Sequence, residues 1–291
     1  MSIRHPIICV TGSSGAGTTT VKNTFEQIFR REGVNAAAIE GDAFHRFDRL
    51  GMQAELLRAE TLGNNHFSHF SVEANLLDEL GAVFAEFAER GTGRTRHYVH
   101  DELESVRYGV KPGNFTEWES LPSDSDLLFY EGLHGAVVTP TVDLASHVDL
   151  KIGVVPVINL EWIQKLHRDR SSRGHSQEAI TDTILRRMPD YVNTIVPQFS
   201  KTDINFQRVP MVDTSNPFIA RTIPTPDESM VVIRFREPLG IDFSYLISMI
   251  HDSFMSRANS IVIPGGRLDI AMQLILTPLI QRLVENRRRA G

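Results

Sequence analysis

Gly12-Ser13-Ser14-Gly15-Ala16-Gly17-Thr18-Thr19 is the stretch that decides the fold. It follows the short apolar run Ile7 to Val10, and beyond it Val21, Phe25, Ile28 and Phe29 fall at i, i+4, i+7 and i+8. That order reads as strand, glycine-rich turn and amphipathic helix. Small residues in such a turn let successive backbone N–H groups converge on an anion at a helix N-terminus. The spacing matches the phosphate-loop pattern G-x-x-x-x-G-K-[ST] at every fixed position but one, since Thr18 stands where lysine is usual. Thr19 takes the place whose hydroxyl reaches Mg²⁺, and Thr20 follows it into the helix. A tight βα turn without a ligand is the plainer alternative, but the strand before and the helix after favour a phosphate loop.

Outward from that loop the strand–helix alternation continues. Asn35 to Ile39 reads as a second strand ending at Glu40-Gly41-Asp42, and Leu76, Leu77, Leu80, Val83, Phe84 and Phe87 mark a helix that stops before Gly91. Leu127 to Tyr130 and Ile152 to Val157 read as buried strands, the second followed by a helix from Asn159 to about Arg170. A further helix from Gln177 carries Pro189, which should break or kink it. Met230 to Arg236 alternates as a strand with one wetter face, near an edge and antiparallel. Phe243, Leu246, Ile247, Ile250 and Phe254 form one helical stripe, and Leu268, Met272, Ile275, Leu279 and Leu283 another. The Arg287-Arg288-Arg289 run reads as a solvated helix end. This pattern implies an α/β protein: a three-layer, phosphate-loop-type mixed, mainly parallel sheet flanked by helices. We expect a single domain over 1–291, with covering segments near 91–124, which is rich in Gly, Arg, His and acids, and near 165–175.

The chain has 291 residues and a net charge of −6, which argues against a general nucleic-acid binder. No apolar run approaches the roughly 18 residues of a membrane span. The lone cysteine, Cys9, lies in an apolar run and reads as a buried, inert thiol, so a reducing cytoplasm is expected.

With Thr18 in the lysine position, the positive charge that stabilises a phosphoryl group in transfer must come from elsewhere. Only five lysines are available among 30 basic residues. Lys22 lies a turn into the first helix, Lys151 precedes a strand at the sheet's far end, and Lys201 has no phosphate-like context. Lys165 remains. It sits in Gln164-Lys165-Leu166-His167-Arg168-Asp169-Arg170, followed by Arg173, where Lys165 and Asp169 share one helix face with Arg168 beside them. A solvated helix laced by ion pairs is the bland alternative. Two acids follow strands, where open α/β sheets place their sites. Glu131 suits Mg²⁺, and Asp42 suits the uptake of a proton from an acceptor hydroxyl, with His45 and Arg49 near it to grip an anion. The pairs His66/His69 and His97/His100 have metal-like spacing but no third ligand motif.

On the segments Val10 to Val21, Ile39 to Phe47, Phe129 to Val137, Val157 to Lys165, Asp213 to Arg221 and Ser256 to Pro264, the chain resembles the bacterial type of the phosphoribulokinase family over essentially its whole length. That family's loop also lacks the lysine. The resemblance implies a nucleoside-monophosphate-kinase-like fold and Mg²⁺- and ATP-dependent phosphorylation of ribulose 5-phosphate at its C1 hydroxyl. It implies Asp42 as general base, Glu131 and Asp169 at the metal or the chemistry, and Lys165 at the phosphoryl group. His45, Arg49, His100, Arg168 and Arg173 would hold the sugar phosphate. It further implies a homo-oligomer, typically an octamer, activated by NADH through Arg31, Arg234 and Arg257. Gln53 departs from the basic residue found there in relatives. A uridine-kinase-like enzyme and a non-catalytic nucleotide-binding module remain the alternatives at this point.

Overall fold

Ile7–Thr11 forms β1, and all five of its residues are buried because the strand lies in the middle of the sheet. The computed structural model describes residues 2, 4–13, 18–173 and 176–290, without the side chains at 18, 19 and 171–173. After β1 come α1 (Thr18–Glu32), β2 (Ala36–Glu40), a 3₁₀ turn (Gly41–Phe44), α2 (Arg49–Thr61), α3 (Leu77–Arg90), β3 (Arg94–Thr95), α4 (Glu102–Tyr108), β4 (Glu119–Ser120) and β5 (Leu127–Gly132). The second half runs β6 (Leu150–Val155), α5 (Ile158–Arg173), α6 (Gln177–Asp190), α7 (Val196–Gln198), β7 (Ile204–Pro210), β8 (Ser229–Phe235), α8 (Phe243–Met249), β9 (Phe254–Arg257), β10 (Ser260–Pro264) and α9 (Leu268–Ala290).

Eight strands make one sheet in the order β2-β5-β1-β6-β7-β8-β10-β9. The first five run parallel, and β8, β10 and β9 add antiparallel pairs. This is the expected mixed, mainly parallel α/β sheet. The chain leaves β1 for β2 on one side and later returns to β6 on the other. The carboxyl end of β1 is therefore the switch point at which such sheets bind ligands.

Alternation along β1 builds the outer layers. Ile8 and Val10 face α1 and α9, packing with Phe25, Phe29, Met272 and Leu276. Ile7 and Cys9 face the other way, toward Leu80, Phe84 and Phe87 of α3. Phe25 lies 4.9 Å from the Phe129 ring of β5, which ties the phosphate-loop helix to the sheet. Cys9 is fully buried, and burial pushes its thiol up to about 12.

Several expectations need correction. The 91–124 segment is more than a covering loop: it holds β3, α4 and β4, with Val99 and Leu121 buried. Arg96 lies over the Phe115 and Trp118 rings, so aromatic–guanidinium stacking replaces the aliphatic signal sought in the sequence. Lys151 lies inside β6, where its Nζ donates to Val148 O at 2.8 Å. Pro189 does disturb its helix as expected: α6 stops one residue after it and gives way to a π-helical turn, Tyr191–Ile195. β8 is interior, between β7 and β10, and Phe254 belongs to edge strand β9 rather than to the α8 stripe. Arg287 is anchored, donating to Asp126 Oδ1 and Ser125 O at 3.0 Å each. Among the described residues no helix is long and apolar enough to cross a membrane.

Because Phe25 is fully buried beside Phe129, Phe25→Ala should lower the free energy of unfolding in urea by about 3–5 kcal/mol.

Candidate active site

The carboxyl ends of β2 and β5 meet at two glycines. A methyl group on Gly132 would lie 2.7 Å from Gly41 Cα and from the Tyr130 hydroxyl, closer than carbon atoms tolerate, so only glycine allows this approach. In register, Glu40 stands opposite Glu131. Asp42 follows Gly41 in the 3₁₀ turn, and the approach brings it to one cavity of about 250 Å³ with Gly12 of the phosphate loop, His100, Glu104 and Glu131. The Asp42 side chain keeps 42% of its surface open to that cavity.

Histidines surround this carboxylate. His45 Nε2 lies 3.1 Å from Asp42 Oδ1, and His100 Nε2 lies 3.4 Å from Oδ2. Burial pushes the Asp42 carboxyl up, but the His45 hydrogen bond and the charges of His45, His100 and His69 outweigh it and hold the group at about 2. Burial would lower His45, yet its bond to Asp42 leaves it raised. His69 packs 5.1 Å from the His45 ring, and burial together with the neighbouring charges drives it down to about 3. Arg49 donates to the backbone O of His100 at 3.2 Å, so it joins this group through His100. Gln53 is exposed on α2. Among the described residues no three His, Cys, Asp or Glu side chains converge as a metal group; His97 stacks on Tyr108 at 4.6 Å instead.

On the facing side, α5 carries Glu161, Lys165 and Asp169 on one buried stripe. Lys165 Nζ pairs with Asp169 Oδ2, and Arg168 Nε donates to Oδ1 at 3.1 Å. Burial and the Arg187 charge pull Lys165 down to about 8 against the pull of Asp169. For Asp169, burial is outweighed by the bond and charge of Lys165, which keep it ionised. His69 feels the charges of both His45 and Lys165, so the two halves converge.

Ser14, Gly15, Ala16 and Gly17 lie outside the described residues, as do the side chains of Thr18, Thr19 and Arg173. Gly12 N donates to Gly132 O at 3.3 Å, and Thr20 is exposed on the first turn of α1. Ser13 Oγ and Glu161 Oε2 are both buried, and Ser13 and Tyr191 bear on the Glu161 carboxyl. Burial pushes the Glu161 carboxyl up to about 7.

Three features escaped the sequence reading. Lys22, set aside above, forms an ion pair with Glu40 beside Glu131. Glu161 carries no motif, although its i, i+4, i+8 spacing with Lys165 and Asp169 was a usable signal. A second cavity of about 220 Å³ opens between Thr20, Gln164, Phe206, Arg208 and Gly265. Gly12 and Thr20 thus each line a cavity at the carboxyl edge of the sheet. The three distant arginines are not brought to this site. Arg234 and Arg257 share one cross-strand row through Ser260, whereas Arg31 is tied to Gln273 and Thr277 of α9, at 2.7 Å each.

Comparison with known proteins gives a consistent answer. The Phosphoribulokinase / Uridine kinase family model matches residues 7–215. The chain is 70% identical over 287 residues to a phosphoribulokinase of Nitrobacter vulgaris, covering 99% of each. It is 70% identical over 290 residues to phosphoribulokinase 1 of Cereibacter sphaeroides, covering 100% of each. The solved phosphoribulokinase from Rhodobacter spheroides superposes with a TM-score of 0.91 at 68% identity, covering 99% of this chain and 100% of that one.

The depressed Asp42 stabilises the fold above its ordinary value of 3.8, and that contribution is lost as pH falls toward 2. The raised His45 contributes below its ordinary 6.5, and that contribution is lost as pH rises through its folded value. Urea unfolding of the wild type against Asp42→Asn should therefore show its widest difference between pH 3.8 and 6.5, narrowing on both sides.

Proposed function

The chain belongs to the Phosphoribulokinase / Uridine kinase family, and from that premise we propose that it transfers the terminal phosphoryl group of ATP to the C1 hydroxyl of D-ribulose 5-phosphate. The products are ribulose 1,5-bisphosphate, the carbon dioxide acceptor of the Calvin cycle, and ADP. The observation that carries this reading is the cavity shared by Asp42, Gly12 and Glu131. Identity of 70% to relatives named phosphoribulokinase favours a sugar phosphate over a nucleoside as acceptor.

MgATP supplies the activated phosphoryl group and a cation that draws charge from it. The residues present suit that ligand. The buried Ser13 hydroxyl, beside Glu161, can turn to a phosphate oxygen, and the cavity at Thr20, Gln164 and Arg208 gives the nucleotide's base a seat. Glu131 and Asp169 are hard oxygen donors, which Mg²⁺ takes one or two at a time alongside phosphates, with Thr19 as a third.

Asp42 accepts the proton of the C1 hydroxyl. At about 2 it is a weak base, which is tolerable because phosphoryl transfer asks mainly for positioning and charge stabilisation. His45, His100 and Arg49 hold the sugar phosphate. As that dianion engages the histidine charges, their hold on Asp42 loosens and its basicity rises. Lys165 supplies the charge that Thr18 does not, and Arg168 and Arg173 support the anionic substrate from the α5 side. The chain acts as one domain, with 91–124 and 165–175 covering the site, in the cytoplasm. We extend the proposal to a homo-oligomer, an octamer by resemblance, with NADH as activator read by Arg31, Arg234 and Arg257. The single row shared by Arg234 and Arg257 supports the reading of a dianionic effector.

A coupled assay should record ADP with ribulose 5-phosphate and none with uridine; the reverse would reassign the acceptor. Asp42→Asn should lower turnover by about 10²–10⁴-fold while ATP affinity persists, and Lys165→Met should likewise reduce turnover far more than ATP affinity. Titration with NADH should stimulate the wild type, and Arg234→Ala should abolish the stimulation without changing the unstimulated rate.

A further inference from the structure

We propose that Asn75 is a positioning residue that holds hydrogen on Nδ1 of His45 while Nε2 donates to Asp42, so that the ring stands beside the base as an imidazolium. His45 and Asn75 are opposite one another in an isolated antiparallel bridge. Arg46 N donates to Ala74 O at 2.8 Å and Leu76 N to Phe44 O at 2.7 Å, which pins the two segments together.

The orientation of the Asn75 amide is set by what surrounds it. Its Nδ2 donates to His69 O at 3.0 Å and to Ser71 O at 2.8 Å. Carbonyls only accept, so a flipped amide would set oxygen against two oxygens. Oδ1 must therefore face His45, whose Nδ1 lies 2.8 Å away. An amide oxygen has no hydrogen to give, so Nδ1 must carry one. Asn75 is 3% exposed, which denies water the chance to substitute. On the other side of the ring, Nε2 lies 3.1 Å from Asp42 Oδ1. Asp42 is an ionised carboxylate that can only accept, so either neutral tautomer would set a lone pair against an acceptor, and only a ring with hydrogen on both nitrogens satisfies Asn75 and Asp42 together. The charged groups bearing on this ring are Asp42, His69, His134 and Arg187, with His100 acting from across Asp42 and Tyr98 edge-on at 6.5 Å.

Losing the acceptor on Nδ1 removes a bond that favours the cationic ring, so the His45 titration should fall. The effect on turnover rests on Asp42 acting as the base; the state of the ring does not. Nitrogen-15 spectra of histidine-labelled full-length protein test the latter directly. The wild type should show hydrogen on both ring nitrogens near neutral pH, and a ring already neutral there would overturn the proposal without any variant being needed. In Asn75→Ala the ring should change to the Nε2–H tautomer, and the basic limb of the kcat/KM profile should move to lower pH by about one unit. Asn75→Ser, which keeps an acceptor oxygen, should restore part of both. A uniform loss of activity with an unmoved profile and an unchanged tautomer would reduce Asn75 to a structural role.

Discussion

Two strands come close enough to touch at their carboxyl ends only because Gly41 and Gly132 carry no side chains, and the rest of the site depends on that approach. It sets Glu40 beside Glu131 and launches the 3₁₀ turn that carries Asp42. The Tyr130 ring lies beneath both glycines, packed edge-on against Phe84 at 5.5 Å, so the floor of the cavity is continuous with the core beneath α3. Stiffness at the site is therefore inherited from ordinary hydrophobic packing. Displacement at either glycine would be felt at once by the acid, by the loop through Gly12 and by the histidines gathered around Asp42.

Charge is distributed so that each functional group is held by a partner of opposite sign. Asp42 has His45 and His100, Lys165 has Asp169, and Lys22 has Glu40. Burial raises the cost of leaving any of them alone. The pairing keeps an unliganded cleft stable, and it means that ligands work by exchanging partners rather than by filling voids. Lys165, kept by burial at about 8, can turn from a protein carboxylate toward a phosphoryl oxygen with little change in its surroundings.

Much of this was legible from residues alone. The phosphate loop, β2, β5 and the acids that follow them carry local signals, because a strand, a glycine turn and a helix each obey their own periodicity. Lys165 emerged from the scarcity of lysines. What stayed hidden was long-range. Nothing local reveals that Arg96 would stack on Phe115 and Trp118, or that β8 would lie inside the sheet. Asn75 has no motif; its meaning comes from two backbone carbonyls and a ring brought to it by folding. The same is true of Lys22, whose partner Glu40 arrives from the next strand.

The strand order also governs how the molecule comes into being. β1 does not pair with β2, its neighbour along the chain; Ile8 pairs with Phe129 and Leu150, and Ala36 with Leu127. A ribosome must therefore deliver β5 before β1 or β2 can find a lateral partner, and β6 before β1 is enclosed. Until then the apolar Ile7–Thr11 segment emerges with bare edges, a slow-closing, aggregation-exposed intermediate of the kind that parallel sheets impose. Demand for chaperone protection during synthesis is thus written into the same crossover that creates the ligand-binding switch point.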